Sequence, residues 1–340
     1  MRVDDFDFAL PDELIAQTPL EQRDHSRLLV VHKDTGVLED RSFPDILEYL
    51  RPNDVVVLND TRVIPARLHG VNRHKSGPVE VFLLRPMGPD QWEVLVKPGK
   101  KARLGAEIVF SPALSCKVMD VTPSGGRLVE FKFCGDFEAI LEILGETPLP
   151  PYIHEKIADP ERYQTVYSKH SGSVAAPTAG LHFTQELLQS VEALGVAIVP
   201  LTLHVGLGTF RPVRVDRVED HVMHEEYYAL TEVHAKTIND RLRAGGRVFA
   251  VGTTSVRVLE TLGDVDGQVH AGSGWTDIFI YPGYDFKVVD GLLTNFHLPR
   301  SSLLMLVSAF ADMRTIQDAY EHAILEQYRF FSFGDGMLLV

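Results

Sequence analysis

Apolar residues along this chain come in short runs, and the texture of those runs changes twice. From Asn72 to about Pro150 they are brief and β-prone, "VEVFLLRP", "WEVLVKPGK", "AEIVF", "CKVMDV" and "RLVEFKF", divided by Gly, Pro and Ser. This pattern predicts a small antiparallel sheet or barrel. "SGGR" at Ser124 to Arg127 predicts a hairpin tip, "DFEAILEIL" a short helix, and "TPLPPY" a stiff exit. On either side strands alternate with helices. Thr184 caps "QELLQSVEAL", whose Leu187, Leu188, Val191 and Leu194 share one helical face, and Gly195 supplies a left-handed stop. "VAIVPLTL" follows as a buried strand, Thr231 starts a helix that ends at Gly245, "RVFAV" is a strand and "TSVRVLETLG" a third helix. The expected fold class is an α/β core with a mostly parallel sheet, open or barrel-like, over residues 1–70 and 151–340, and an inserted small antiparallel β-barrel over 71–150.

Several apolar runs empty directly into polar, glycine-bearing turns. "VVVL" leads to Asn59, Asp60, Thr61 and Arg62, "VPLTL" to His204 and "GLG", and "VFAV" to Gly252, Thr253, Thr254 and Ser255. "DIFIY" leads to Pro282, Gly283 and Tyr284, and "GLL" to Thr294, Asn295 and His297. Ligands of open parallel sheets bind beyond the carboxyl ends of the strands, so one shared site is the economical expectation.

Four segments carry candidate chemistry, each beside a plainer reading. "VGTTSVRVLE" places Thr253, Thr254 and Ser255 where free N–H groups and hydroxyls at a helix start hold a phosphate or carboxylate, or where Thr254 or Ser255 simply caps the helix. "LHVGLGTFRPV" sets Gly206 and Gly208 between His204 and Arg211, for close approach to a flat ligand or for an ordinary turn. In "HVMHEEYY", His221 and His224 meet on one helical face beside Glu225, a metal, acid–base or structural arrangement with no obvious third ligand. "LLTNFHLPRSSLLMLVSAF" joins a strand to a core helix through Asn295, His297 and Arg300, with Ser301 or Ser302 as cap. A fifth, "VAAPTAGLHFT", has no formal charge and is rich in small residues around His182, as for tight packing or for a backbone pressed against a ligand.

Composition narrows the classes. At 340 residues with 45% apolar and 24% charged positions the chain has ample core for a large domain or two. No apolar run approaches a membrane span and the acidic opening lacks the order of a secretory signal, so a cytoplasmic protein is expected. Cys116 and Cys134 are too few for a disulfide framework and read as reduced, structural thiols. The net charge of −14 speaks on average against nucleic acid. Basic residues nevertheless gather in the motif-bearing windows, where Arg23, Arg27, Arg62, Arg67, Arg211, Arg257 and Arg300 face only Glu21, Asp24, Asp60 and Glu260. A phosphate-bearing partner is therefore permitted.

The segments "LIAQTPLEQRDHSRLLV", "LNDTRVIPARL", "GSVAAPTAGLHFT", "HVGLGTFRPV", "MHEEYY", "AVGTTSVRVLE" and "LLTNFHLPRSSLLMLVSAF" closely resemble, nearly end to end, the S-adenosylmethionine:tRNA ribosyltransferase-isomerase family of queuosine biosynthesis. The resemblance implies an α/β core with an inserted β-barrel. It implies transfer and isomerisation of the ribosyl unit of S-adenosylmethionine onto 7-aminomethyl-7-deazaguanine at the tRNA wobble position, giving epoxyqueuosine tRNA, adenine and methionine. S-adenosylmethionine is then a co-substrate; no tightly bound cofactor, metal or membrane is implied, and a monomer is the default. Such chemistry wants a base and an acid, assigned to His182, His204, His224 or His297 with Asp60 or Glu225 orienting them. Ala176, Pro177, Thr178, Ala179 and Gly180 shape a wall for a flat ring with His182 pointing into it. Thr253, Thr254 and Ser255 hold the methionine carboxylate, with Asn295, Gly206 and Gly208 nearby, while Arg211, Arg257 and Arg300 face RNA phosphate or substrate. A tRNA-docking protein without chemistry and a methyltransferase using the same sulfonium donor are the competing classes.

Overall fold

A computed structural model of the chain describes residues 1–75, 77–122, 125–155, 157–206 and 213–340. It divides into two compact units, one of Met1–Arg62, Pro150–His170 and Ala176–Val340 and the other of Val63–Leu149 and Ser171–Ala175. Along the chain come β1 (Arg27–Val31), β2 (Leu38–Ser42), β3 (Val55–Asn59) and β4 (Thr61–Val63). The second unit then builds β5 (Arg67–Asn72), β6 (Pro78–Gly88), β7 (Gln91–Lys97), β8 (Glu107–Ser111), β9 (Leu114–Val121), β10 (Arg127–Phe133) and the helix α1 (Phe137–Leu144).

These six strands close an antiparallel barrel in the order β10-β7-β6-β5-β8-β9. Its interior is filled by alternate residues of each strand, among them Leu68, Val79, Val81, Leu83, Ile108, Val118 and Phe131. The boundary expected at residue 71 falls inside β5, which pairs with both β6 and β8 and so belongs wholly to the barrel. Cys116 is buried in this unit, whereas Cys134 is exposed and so has no packing role.

The chain returns through β11 (His170–Ser173) to α2 (Gln185–Ala193), β12 (Ala197–Leu203), β13 (Glu226–Leu230), α3 (Glu232–Arg243), β14 (Val248–Val251) and α4 (Thr253–Leu262). It ends with β15 (Gly272–Thr276), β16 (Gly291–Asn295), α5 (Ser302–Ala311), α6 (Met313–Leu325) and β17 (Gly336–Leu339). Thr184, Thr231 and Ser301 cap α2, α3 and α5 by accepting backbone N–H groups of Leu187, His234 and Leu304. Among the described residues no helix is long and apolar enough to cross a membrane.

The core of the first unit is a nine-stranded sheet in the order β15-β13-β12-β3-β14-β16-β17-β1-β2. It is mixed, which corrects the expectation of a mostly parallel sheet. The run β12-β3-β14-β16 is parallel, but β13 and β15 pair antiparallel to their neighbours, β17 pairs antiparallel to β16 and parallel to β1, and β2 pairs antiparallel to β1. The sheet is open, without barrel closure. "DIFIY" is not a strand; the edge pairing is made by the glycine-bearing β15 just before it, which lies level with β13 from Thr276 to Gly272.

Parallel strands inside the sheet are apolar throughout because both faces are covered. All five residues of β3 are buried. On one face Val56, Leu58, Phe249, Val251 and Leu293 meet Leu187, Leu188 and Val191 of α2. At the edge where β3 and β14 begin, the fully buried Asp54 carboxylate accepts the Arg247 guanidinium (2.7 Å) and the N–H groups of Arg51 and Arg247 (2.9 Å each). Asp54→Ala leaves that guanidinium and two N–H groups without an acceptor, so a stability loss of about 3 kcal/mol is expected in urea unfolding.

Candidate active site

The mixed topology decides which chain ends share an edge. Strands β3, β12, β14 and β16 deliver their carboxyl ends to it, and the antiparallel β13, β17 and β1 deliver their amino ends. A cleft opens there, lined by Ala176 to Ala179, by Gly252, Thr253 and Thr254, by Thr294, Asn295 and His297, and by Tyr152, Phe331 and Ser332.

At the β14–α4 junction Gly252 holds φ +83°, a conformation only glycine adopts freely, and turns the chain straight into the helix. No side chain caps α4. The Ser255 hydroxyl turns back to the Val251 carbonyl (2.8 Å), and the buried Thr254 Oγ1 has no hydrogen-bond partner. The first-turn N–H groups of such a helix have no partners within it and carry a partial positive charge. Neutral donors and a free hydroxyl therefore face the cleft.

At the end of β16 the Asn295 amide organises three groups. Its Nδ2 donates to the Phe331 carbonyl (3.1 Å), which fixes the amide's orientation, and to His182 Nε2 (3.2 Å). His182 Nε2 is therefore an acceptor, its proton sits on Nδ1, and Nδ1 donates to Ser26 Oγ (2.8 Å). Asn295 Oδ1 is left buried and unpartnered. The His182 ring stacks on Phe43 at 4.8 Å, outside the cleft lining, and burial together with Arg329 and Arg23 pushes its pKa down to about 3. So His182 does not point into the cleft; both its nitrogens are engaged. His297 does line it, with Nε2 3.0 Å from Thr294 Oγ1 and its pKa lowered by burial to about 3.

Along the β3–β12 rim, Asp60 Oδ1 accepts from Thr202 Oγ1 (2.7 Å) and Oδ2 lies 3.6 Å from His170 Nε2. His204 Nδ1 meets Thr61 Oγ1 (2.8 Å) and its ring lies parallel to Tyr227; burial and then His170 lower its pKa to about 4. The next residue, Val205, lines the cleft. Gly206 donates its N–H to Glu226 Oε1 (2.7 Å), and the other oxygen of that buried carboxylate is bonded to Arg257.

Other expected site residues are placed elsewhere. Arg257 is buried against Glu226 and carbonyls of Thr276 and Ile278, because it sits on the sheet-facing side of α4, and does not face a phosphate. Arg300 is bound by Asp7 and Asp4. His221 and His224 lie in extended chain ahead of β13, not on a helix, with His221 edge-on to Phe279 and both His224 and Glu225 exposed. Among the described residues no three His, Cys, Asp or Glu side chains gather as for a metal. Gly180 packs and does not line: a Cβ there would run into Tyr167 Oη and Thr165 Cγ2. Gly208 and Arg211 lie outside the described residues. Sequence reasoning missed Tyr152, whose hydroxyl meets Ser332 Oγ (2.7 Å), and Phe331 beside it. It also took Glu225 where Glu226 is the buried group; strand alternation back from the apolar Leu230, which shares a face with Glu226, was the available signal.

Two outcomes follow. His182, His297 and His204 bind protons more weakly folded than unfolded, so between about pH 6.5 and 4 the unfolded state holds more protons and stability rises with pH. Urea unfolding should therefore show full stability above pH 6.5 and a loss of several kcal/mol as pH falls through that window, reduced in His182→Gln. Gly180→Ala should lower stability by about 2 kcal/mol through overpacking, seen as a fall in Tm.

Comparison with known proteins agrees with this architecture. A family model described as "Queuosine biosynthesis protein" matches residues 3–339. The crystal structure of an S-adenosylmethionine tRNA ribosyltransferase from Thermotoga maritima is 37% identical, with a TM-score of 0.58, over 99% of this chain and 100% of that one. With its nine-stranded mixed sheet, its six-stranded barrel and a match over nearly every residue, the chain belongs to the queuosine biosynthesis protein family.

Proposed function

We propose that this protein transfers and isomerises the ribosyl moiety of S-adenosylmethionine onto 7-aminomethyl-7-deazaguanine at the tRNA wobble position, forming epoxyqueuosine tRNA and releasing adenine and methionine. It acts as a monomer in the cytoplasm. The carrying observation is the end-to-end likeness to the Thermotoga maritima ribosyltransferase. The cleft supports it. Its lining is neutral and carries hydroxyl and amide groups, which suits a cationic sulfonium nucleoside.

In this reading the first-turn N–H groups of Thr253 and Thr254, with Thr254 Oγ1, hold the methionine carboxylate. Asn295 Oδ1, unpartnered and buried, accepts from an N–H group of the nucleoside. Ala176 to Ala179 and Phe331 flank the rings. Removal of the C5′ proton, acidified by the adjacent sulfonium, opens the sugar as adenine departs. The aminomethyl nitrogen then attacks the exposed carbon, and ring closure expels methionine. His297 faces the cleft and is held neutral by burial, so it first accepts the C5′ proton as a base and then, as the imidazolium so formed, returns it to a ring nitrogen of the departing adenine; Asp60 and His204 stand on the same rim. His182 positions Asn295 instead of exchanging a proton with substrate.

Incubating the protein with S-adenosylmethionine and precursor-bearing tRNA should yield free adenine and methionine in equal amounts. S-adenosylhomocysteine would instead indicate a methyltransferase, and unconsumed donor a docking protein. Thr254→Val removes an unpartnered hydroxyl at constant shape, so KM for S-adenosylmethionine should rise about tenfold while Tm stays level or increases. His297→Ala should lower the rate of adenine release by roughly a hundredfold or more.

A further inference from the structure

Three guanidinium groups converge beside the His182 ring, and none meets a carboxylate. Arg23 donates to the carbonyls of Leu181 (3.3 Å) and Glu161 (2.9 Å). Arg162 donates to the carbonyls of Glu21 (2.9 Å) and Leu20, and its buried Nε has no partner. Arg329 donates to the Thr18 carbonyl, and its buried Nη1 has none. The acids nearby are committed elsewhere. The Glu161 carboxylate binds Arg62, that of Asp159 accepts the Glu161 N–H, and that of Asp335 accepts the backbone N–H groups of Arg27 and Arg329.

Arg23 and Arg162 line one small, open recess together with Ser26, His182 and Ser332. Ser332 lines the cleft as well, so the two spaces are neighbours. Carbonyl bonds hold the planar forks in place but neutralise nothing, and half-buried like charges repel unless an anion joins them. Burial first and Arg162 second lower the Arg23 pKa, and Asp159 and Glu161 offset this only in part. A fork of this kind matches the oxygens of a phosphate.

We propose that this recess binds a backbone phosphate of the RNA, that of a nucleotide adjoining the base held in the cleft. The inference rests on the reading of the protein as a tRNA-modifying enzyme. The phosphate is favoured over the methionine carboxylate because the recess is walled separately from the cleft. The cleft already offers that carboxylate the start of α4, and a base in the cleft carries its phosphodiester one sugar away. It also replaces Arg257 and Arg300, whose charges are already compensated, as the source of RNA contact.

The test uses Arg23→Gln, Arg162→Gln and the double variant, with tRNA affinity measured over a range of salt concentrations, KM for S-adenosylmethionine, and Tm. The expected result is a tRNA Kd raised roughly tenfold to a hundredfold, a salt slope shallower by about one in the double variant, and an unchanged KM for S-adenosylmethionine. Unchanged Kd and slope would overturn the proposal. A raised KM for S-adenosylmethionine with intact tRNA binding would also do so, assigning the recess to the carboxylate. Should the variants fold poorly, inorganic phosphate tested on the wild-type protein decides. Competition with tRNA but not with S-adenosylmethionine supports the recess, and no competition with tRNA overturns it. Because binding is measured without turnover, wild-type protein that releases no adenine would defeat the enzymatic reading alone. Adenine release with undiminished tRNA affinity in the variants would defeat the recess alone.

Discussion

Two hydrogen-bonded ladders hold β3 between β12 and β14, with Val55 level with Ala197 on one side and Val248 on the other. That parallel register is what the remainder of the first unit depends on. It brings Asn59, Leu203 and Val251 to one edge, so that the residues following each strand meet although Asn59 is more than a hundred positions from the other two. A slip of one residue in either ladder would turn the Val56 and Leu58 face away from α2, so burial enforces the register as strongly as hydrogen bonding does.

The antiparallel flanks add what a purely parallel sheet would lack. Ser26 ahead of β1, Ser332 ahead of β17 and Glu226 at the start of β13 reach the same edge from the opposite direction. Charge is handled differently at each place. Glu226 and Arg257 cancel one another in the interior, while the cleft is lined by neutral groups, its histidine included. The three arginines beside His182 hydrogen-bond to carbonyls. In the proposed reading, a cationic small molecule and an anionic polymer encounter separate, chemically distinct surfaces of one unit.

Much of this was legible in the chain because the signals were local. The junctions after "VVVL", "VFAV" and "GLL" fall where apolar β-prone runs stop at Asn, Gly or Thr, and all border the shared edge. Helix starts at Thr184, Thr231 and Ser301 were readable from side-chain capping. What escaped needed partners distant in sequence. The strand β5 is diluted by Arg, His and Gly, and β17 is four residues long, so only pairing identifies either. His182 looked like a site residue because its neighbours are small and uncharged. Those neighbours serve two purposes, Ala176 to Ala179 forming a wall and Gly180 admitting Tyr167, while the imidazole turns to Phe43, Ser26 and Asn295. Tyr152 follows a proline-rich stretch with no periodicity to mark it.

The position of β17 governs how the molecule can be made. Residues 336–339 lie between β16 and β1, pairing Leu339 with Leu292 on one side and with Val31 on the other. A nascent chain emerging from the ribosome therefore exposes its early β1–β2 hairpin, apolar on β1, long before β17 at Gly336–Leu339 has been translated. Contacts of such long sequence separation form slowly. The hairpin joins the rest of the sheet only through this four-residue strand, the last to be made.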